Sequence, residues 1–346
     1  MQKAAIVILN YNGEKMLRKF LPDVVKFSKY EIIIADNGST DSSINFLNSH
    51  YPLLTTIQLE TNSGYSQGYN LALDQLKGIY EYYVLLNSDI LVTEGWDENM
   101  IKWMDSNPHI AASQPKLLSY QQQDFFDHAG AGGGFLDSLG YPYCRGRIFN
   151  HTEKDLHQYN DSIQVDWASG ACFFIRAEDF HQLSGFDKIF FAHMEEIDLC
   201  WRLRLSGKKI FYNGNIKVYH VNGGTLPPNS PMKTYLNFRN NLLMLYKNLS
   251  KSKFLKIFVI RLIFDFAAFL HFSLTEGFAH GKAVFYAYLH FFKFKSSVEK
   301  TQPLASKLTK HDQEKKVFSI VIDHYLRGRK TFPKLSNQKE PGCSSF

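Results

Sequence analysis

Before residue 90 the chain alternates four short aliphatic or β-branched runs, residues 4–9, 31–35, 55–59 and 82–86, with three helix-like stretches, residues 15–27, 42–49 and 69–77. Each run ends in polar or glycine-bearing residues, the punctuation expected at strand ends. A β-α-β-α-β-α-β order predicts a doubly wound, mostly parallel α/β sheet with right-handed crossovers and ligands at the carboxyl ends of the strands. The loops at residues 10–13, 36–41, 62–68 and 87–89 should then crowd one edge of the sheet.

A second feature is chemical. The stretch H-M-E-E-I-D-L-C-W-R places Glu195, Glu196 and Asp198 within four residues at the expected start of a short helix, and His220 just beyond the strand that follows. Like charges this close repel, so the cluster suits a site that handles protons or cations. Asp198 and Arg202 are four apart and can pair on one helical face, with Glu195 on roughly the same face. Glu196 is turned about 100° away and has no evident local partner. The helix dipole favours its ionised form, as suits a general base. The plain alternative is an exposed acidic helix start closed by a Gly207 C-cap.

At 346 residues and 45% hydrophobic content the chain can bury a full-sized core. Its cysteines, Cys144, Cys172, Cys200 and Cys343, show no C-x-x-C spacing, which argues against a zinc site or disulfide framework and for a reducing cytoplasm. The opening M-Q-K-A-A-I-V-I-L-N reads as a buried strand, too short for a signal segment. Glycines in D-H-A-G-A-G-G-G-F lack a following Gly-Lys-Ser/Thr and read as a mobile, substrate-covering loop. Residues 165–175 read as one strand leading toward the acidic helix.

From Tyr246 onward about 18 Lys and Arg stand against 7 Asp and Glu, so a basic C-terminal part follows an acidic body. Aromatic runs lie near residues 254–274 and 283–294, the first broken by Lys256, Arg261 and Asp265, so an interfacial or re-entrant helical hairpin on anionic head groups is expected in place of a bilayer span. An ordinary buried hairpin is the bland alternative. The expected division is a catalytic domain over 1–250, a membrane-associating hairpin over 251–298 and a basic tail over 299–346. This places the protein in the cytoplasm, peripheral at the inner face of the cell membrane.

Five segments in order, V-I-L-N-Y-N, A-D-N-G-S-T-D, N-S-G-Y-S-Q-G-Y-N, L-L-N-S-D and H-M-E-E-I-D-L-C-W-R, resemble the family-2 inverting glycosyltransferases of the GT-A fold, particularly bacterial rhamnosyltransferase-like members of cell-surface polysaccharide assembly. The resemblance covers about residues 3–250. It implies that a UDP-, dTDP- or GDP-sugar is the donor and a glycan or lipid-linked molecule the acceptor. Asp36 would contact the nucleotide base, with Asn10, Asn12 and Asn87 in the nucleotide site and Arg239 on the diphosphate. Asp89 would be the last acid of the family's D-x-D motif and, with His220, hold Mn²⁺ or Mg²⁺. Glu196 would be the catalytic base, with Glu195 beside it and Trp167 and Asp198 toward the acceptor. Two positions depart from the family pattern: Asn87 replaces the first acid of D-x-D, and Glu196 replaces an Asp.

A nicotinamide-dependent oxidoreductase shares the β-α-β opening, but the first strand here leads into N-Y-N-G and not G-x-G-x-x-G. A sugar nucleotidyltransferase would also want a glycine-rich loop there. A non-catalytic, membrane-bound glycan-binding module would explain the aromatic residues and basic tail but leaves Asp36, Asp89, Glu196 and His220 without a purpose. Nothing points to nucleic acid as a partner.

Overall fold

The computed structural model describes residues 1–128, 130–221, 230–301 and 317–336. Its first half follows the expected alternation: strand β1 (Gln2–Asn10), helix α1 (Glu14–Phe27), β2 (Glu31–Asn37), α2 (Ser43–His50), β3 (Thr55–Leu59), α3 (Gly64–Gln75) and β4 (Tyr80–Asn87). These form a parallel run β4-β1-β2-β3. Along β1, Ala5 and Val7 join one core cluster and Ala4, Ile6 and Ile8 the other, so the strand is buried on both faces, as helices on both sides of a sheet require.

The chain then adds β5 (Ile90–Leu91), α4 (Trp96–Asp105) and β6 (Ile110–Ser119), a small sheet of β7 (Gly134–Leu136), β8 (Pro142–Cys144), β9 (Arg147–Ile148) and β10 (His151–Thr152), and then β11 (Ser162–Val165), β12 (Cys172–Arg176), α5 (Ala177–Gln182), α6 (Glu195–Leu205) and β13 (Lys209–His220). The main sheet has nine strands in the order β11-β13-β6-β12-β4-β1-β2-β3, with β5 pairing β13. Strand β12 runs antiparallel between β4 and β6, and β13 is parallel to β6.

Helices α7 (Pro231–Asn248), α8 (Lys251–Thr275) and α9 (Phe278–Phe294) follow. Ser230 caps α7 by accepting from Lys233 N–H, with Pro231 at the first helical position, and Ser250 caps α8 by accepting from Lys253 N–H. Helix α8 is long and apolar enough to cross a membrane by length and composition. Its Arg261 and Asp265, however, point into the protein. Arg261 donates to the Leu139 carbonyl and to Asn241 Oδ1 and pairs with Asp265, which accepts from Tyr141 Oη and Tyr288 Oη at 2.7 Å each. Two of the three charges that interrupt the apolar run therefore bind the helix to the rest of the protein, while Lys256 is exposed.

Three expectations change. Residues 62–68 are not all loop: α3 starts at Gly64, whose N–H is accepted by Asn62 Oδ1. Residues 165–175 form two strands, β11 and β12, separated by a turn in which Asp166 N–H and Trp167 N–H both donate to the Gly134 carbonyl. The glycine segment is packed, not a mobile cover. Residues 130–134 are buried, Gly130 and Gly133 have positive φ, and a Cβ on Gly134 would lie 2.2 Å from the Trp167 ring. Among the cysteines, Cys144, Cys172 and Cys200 are free and buried. Cys343 and much of the basic tail lie outside the described residues.

Candidate active site

The parallel strands end together. Register pairs Asn10 with Asp36 and Leu9 with Asn87, so the tips of β1, β2 and β4 lie side by side. Asp36, 3% exposed, accepts from Asn10 Nδ2 at 2.9 Å through one carboxylate oxygen and from Ser39 N–H at 2.9 Å through the other. Asn12, with φ of 50°, accepts from the Thr40 and Asp41 amides and donates its own N–H to Ser39 Oγ. The β1 and β2 loops are thus locked together through Ser39. Asn10 Oδ1 is buried without a hydrogen-bond partner, and a Cβ on Gly13 would sit 2.3 Å from it. An unmet acceptor of this kind is a place for a ligand donor group.

Just past the tip of β4, the pairing of β5 with β13 brings His220, the last residue of β13, beside Asp89. His220 Nε2 lies 3.2 Å from Asp89 Oδ1, and its Nδ1 lies 3.0 Å from Oδ2 of Asp127. All three residues are buried. Burial alone disfavours a charged imidazole, but the carboxylates of Asp127 and then Asp89 outweigh it and raise the His220 pKa to about 10. Asp127 carries no local motif: it meets His220 across 93 positions of sequence.

The acidic helix stands on an unusual turn. Phe191, His193 and Met194 have φ of 61°, 69° and 75°, a region that non-glycine residues enter at a cost. Helix α7 holds the turn in place: Asn240 Nδ2 donates to the carbonyls of Phe190, Ala192 and His193 at 2.7–2.8 Å. On the other side the turn touches the start of α3, where Ser66 N–H donates to the Phe191 carbonyl and a Cβ on Gly64 would lie 2.5 Å from the Phe191 ring.

Glu195 is buried and Glu196 half-buried, and each has an Oε2 atom with no hydrogen-bond partner. Burial, then the Glu196 charge, pushes the Glu195 carboxyl well above its ordinary range. Burial also raises Glu196, to about 7, against backbone amides that include Gly170. Desolvation therefore overrides the dipole expected to keep this acid ionised, and both residues are far from an exposed helix start. The Gly170 carbonyl accepts from Tyr65 Oη at 2.8 Å, and the neighbouring Ala171 carbonyl accepts from Asn87 N–H at 3.0 Å. One short segment thus connects the acid pair to the β4 tip.

Three expected site residues face elsewhere. Every nitrogen of the Arg239 guanidinium is engaged: Nε with Asn240, Nη1 with Tyr235 Oη, and Nη2 with the Ile189 and Phe190 carbonyls. Its place is under the turn before α6, not on a diphosphate. Asp198 is fully buried and accepts from Arg202, Lys247 and Asn248, which holds its carboxyl below the ordinary range despite burial. It fastens α6 to α7 and has no oxygen turned to an acceptor. Trp167, 6% exposed, donates its indole N–H to the Phe135 carbonyl and packs on Gly134, a structural place. Besides Asp127, the residues not foreseen from sequence are Ser39, Tyr65 and Asn240. Their partners lie in other segments, and only the N-S-G-Y-S motif around Tyr65 gave a hint.

The sequence model described as Glycosyl transferase family 2 matches residues 5–183, more than half of the chain. The chain belongs to glycosyl transferase family 2. This glycosyltransferase is 27% identical over 60% of its length to Rhamnosyltransferase WbbL of Escherichia coli K12, covering 79% of that relative. It is 24% identical over 62% of its length to the N-acetylglucosaminyl-diphospho-decaprenol L-rhamnosyltransferase of Mycobacterium tuberculosis, covering 75% of that protein. Among solved structures, GalNAc-T7 with UDP, GalNAc and Mn²⁺ superposes with a TM-score of 0.56 at 15% identity over 73% of this chain and 49% of that one. S. aureus TarS residues 1–349 give 0.53 at 16% identity over 85% of this chain and 81% of that one. At such identity these two establish the glycosyltransferase's GT-A fold. The acid pair and the Asp36 and Asp89 clusters all lie at the carboxyl edge of its parallel strands.

Proposed function

We propose that this glycosyltransferase works by inversion, moving a sugar from a nucleoside diphosphate to a hydroxyl of a lipid-linked acceptor in the assembly of a cell-surface polysaccharide. The observation that carries the reading is Glu196, a half-buried carboxylate with an unpartnered oxygen and a pKa near 7, set beside the strand tips. A group of that pKa can take the acceptor hydroxyl's proton as the oxygen attacks the anomeric carbon and the nucleoside diphosphate leaves. Direct attack needs one base and no protein nucleophile; a double displacement would need a second, separate carboxylate. The names of the two rhamnosyltransferase relatives support a deoxyhexose donor and a diphospho-lipid acceptor.

The Asp36 cluster, with Asn10 Oδ1 open to a donor group, receives the nucleotide, with Asn12 fixing the loop and Asn87 at its edge. No group of three or more His, Cys, Asp or Glu side chains among the described residues is arranged as a metal cage. Asp89 and His220 nevertheless fit a shared, substrate-borne cation, which would take the place of the proton that His220 Nε2 now shares with Asp89. A divalent ion in a phosphate-transfer site needs only one or two protein ligands plus phosphate oxygens. Asp127 on the far imidazole nitrogen is the usual outer partner of a metal-binding histidine. Bound there, Mn²⁺ or Mg²⁺ would offset the charge developing on the leaving diphosphate, and the Mn²⁺ in the GalNAc-T7 structure is in keeping with this.

Helices α8 and α9 turn Val259, Ile263, Phe266, Leu274, Phe278 and Phe285 outward, each more than half exposed. Lys251, Lys253, Lys256, Lys282, Lys293 and Lys295 lie on the same two helices or just after them. An apolar face with basic residues beside it suits an anionic bilayer surface, so residues 251–298 act as an interfacial hairpin attached to a catalytic domain of residues 1–250. On this reading the enzyme works at the cytoplasmic face of the cell membrane. The test is a panel of UDP-, dTDP- and GDP-sugars with Mn²⁺ and a lipid-diphosphate-linked acceptor, reading product and its anomeric configuration. Retention of configuration, or no transfer from any donor, would refute the reading.

A further inference from the structure

Among the described residues, two cations near the Asp127–His220 pair are held without a carboxylate of their own. Arg147, on β9, donates to the carbonyls of His128 and Phe149. Lys233, in the first turn of α7, makes no side-chain ion pair among the described residues. Neither is fully exposed. Asp127, the acid whose field reaches both, already holds the His220 imidazole at 3.0 Å. The Lys233 charge also reaches His193, whose buried Nε2 has no partner. Burial, then the Arg147 charge, holds the Lys233 ammonium below its ordinary range, and burial drives the His193 imidazole down to about 4. Partly desolvated positive charges without a counterion call for an anion.

Their position points to which anion. Thr234, adjacent to Lys233, bonds His280 Nδ1 at 2.9 Å near the start of α9. On the other side, Phe149 packs on Tyr325 at 5.4 Å and Tyr325 on His271 of α8 at 5.9 Å. The cations therefore lie between the catalytic edge and the turn of the hairpin, where Leu274 is 86% and Phe278 60% exposed. A ligand that joins an anionic group to a long apolar chain matches this order: charge first, apolar surface beyond.

We propose that Arg147, Lys233 and His193 form a binding site for the diphosphate of a polyprenyl-linked acceptor, with the first isoprene units lying on the hairpin turn. This rests on the lipid-linked acceptor reading above and adds the residues that recognise it. Arg147 can hold two phosphate oxygens in its planar fork, Lys233 supplies a mobile point charge, and His193 Nε2 can share a proton with a third oxygen.

The test titrates the full-length protein and its Arg147→Gln and Lys233→Gln variants with farnesyl diphosphate, inorganic pyrophosphate, UDP and dTDP. Losing one charge-assisted contact should weaken farnesyl diphosphate by about tenfold or more in each variant. UDP or dTDP affinity should hold, melting temperature should not drop, and Arg147→Lys should recover part of the loss. Weakening of UDP or dTDP as great as that of farnesyl diphosphate, or greater, assigns the cluster to the donor's diphosphate and overturns the proposal, as does farnesyl diphosphate affinity left unchanged in both variants. Farnesyl diphosphate that binds the wild type no better than pyrophosphate removes the apolar half of the argument and overturns it too. Sugar transfer from the donor panel is scored separately, so a failed lipid site leaves the glycosyltransferase reading standing and a failed donor panel is seen independently.

Discussion

Lys247 Nζ lies 2.9 Å from Oδ2 of Asp198, so the last turn of α7 is bound to the first turn of α6 inside the protein. The same carboxylate accepts from Arg202 at 2.8 Å, which makes it the shared anion of two buried cations. Asp198→Asn strands both and should lower the unfolding free energy by about 3–5 kcal/mol in urea titrations. Because the folded pKa of Asp198 is depressed, its contribution is present above the unfolded carboxylate value and fades as pH falls through the folded one. The gap between wild type and variant should therefore narrow in strong acid.

Glu196→Gln should leave nucleotide affinity intact while kcat drops about 10²–10⁴-fold, the scale of lost general-base assistance. The wild-type kcat/KM should rise with pH through about 7, and the variant should lose that limb. Stability should move the opposite way. A carboxyl whose folded pKa is raised contributes stability that is lost as pH rises through that value, so the variant should be the more stable protein at pH 8, measured by thermal melts.

Asp127→Asn keeps the size of the side chain but removes the charge on His220 Nδ1. Weakening of Mn²⁺ by about 10–100-fold is expected, read by electron paramagnetic resonance of free Mn²⁺ with UDP or dTDP present. At saturating Mn²⁺ most of the activity should return. A protein that keeps full activity in EDTA would show that Asp89, Asp127 and His220 have another purpose.

Asp36→Ala should raise the donor KM more than it lowers kcat, since the contact is made in both ground and transition states. The loss of its two hydrogen bonds frees Ser39 N–H and leaves Asn10 Nδ2 with Ser39 Oγ alone, so some loosening of the β2 loop belongs to the same variant. Unchanged donor KM and unchanged nucleotide preference would contradict the assignment.

Ile263→Glu with Phe266→Glu places charge on the outward face of α8 without touching Arg261 or Asp265. Sedimentation with vesicles rich in anionic lipid should fall, and added salt should weaken the wild type. Deleting the whole hairpin is the poorer experiment, because it would uncover Asn241 and Tyr141, which now meet Arg261 and Asp265.

The parallel half of the sheet was legible in the sequence because β1, β2 and β4 are buried on both faces and each run ends in polar residues; residues 55–59 match the edge strand β3 at both ends. The acid cluster was legible because three carboxylates in four residues are rare. What the sequence could not carry was solvent exposure and long-range partnership. Arg239 looked like a phosphate ligand until four hydrogen bonds within the protein accounted for it. Glu196 looked like a charge favoured by a helix dipole, yet desolvation outweighs that dipole once the turn at residues 191–194 folds beneath it. Asp127 had no signal, since nothing near it in sequence foretells an imidazole from β13.

Strand β12 runs against its neighbours β4 and β6, and that direction of travel decides where the reaction can occur. A strand that enters the sheet at the edge where the others leave it delivers its first residues there, so Gly170 and Ala171 arrive beside Asn87 with no connecting loop to spare. Reversed, the five-residue β12 would carry that turn about 17 Å away, to the opposite rim. The amide that steadies Glu196 would go with it, and proton acceptor and donor sugar would face different sides of the molecule.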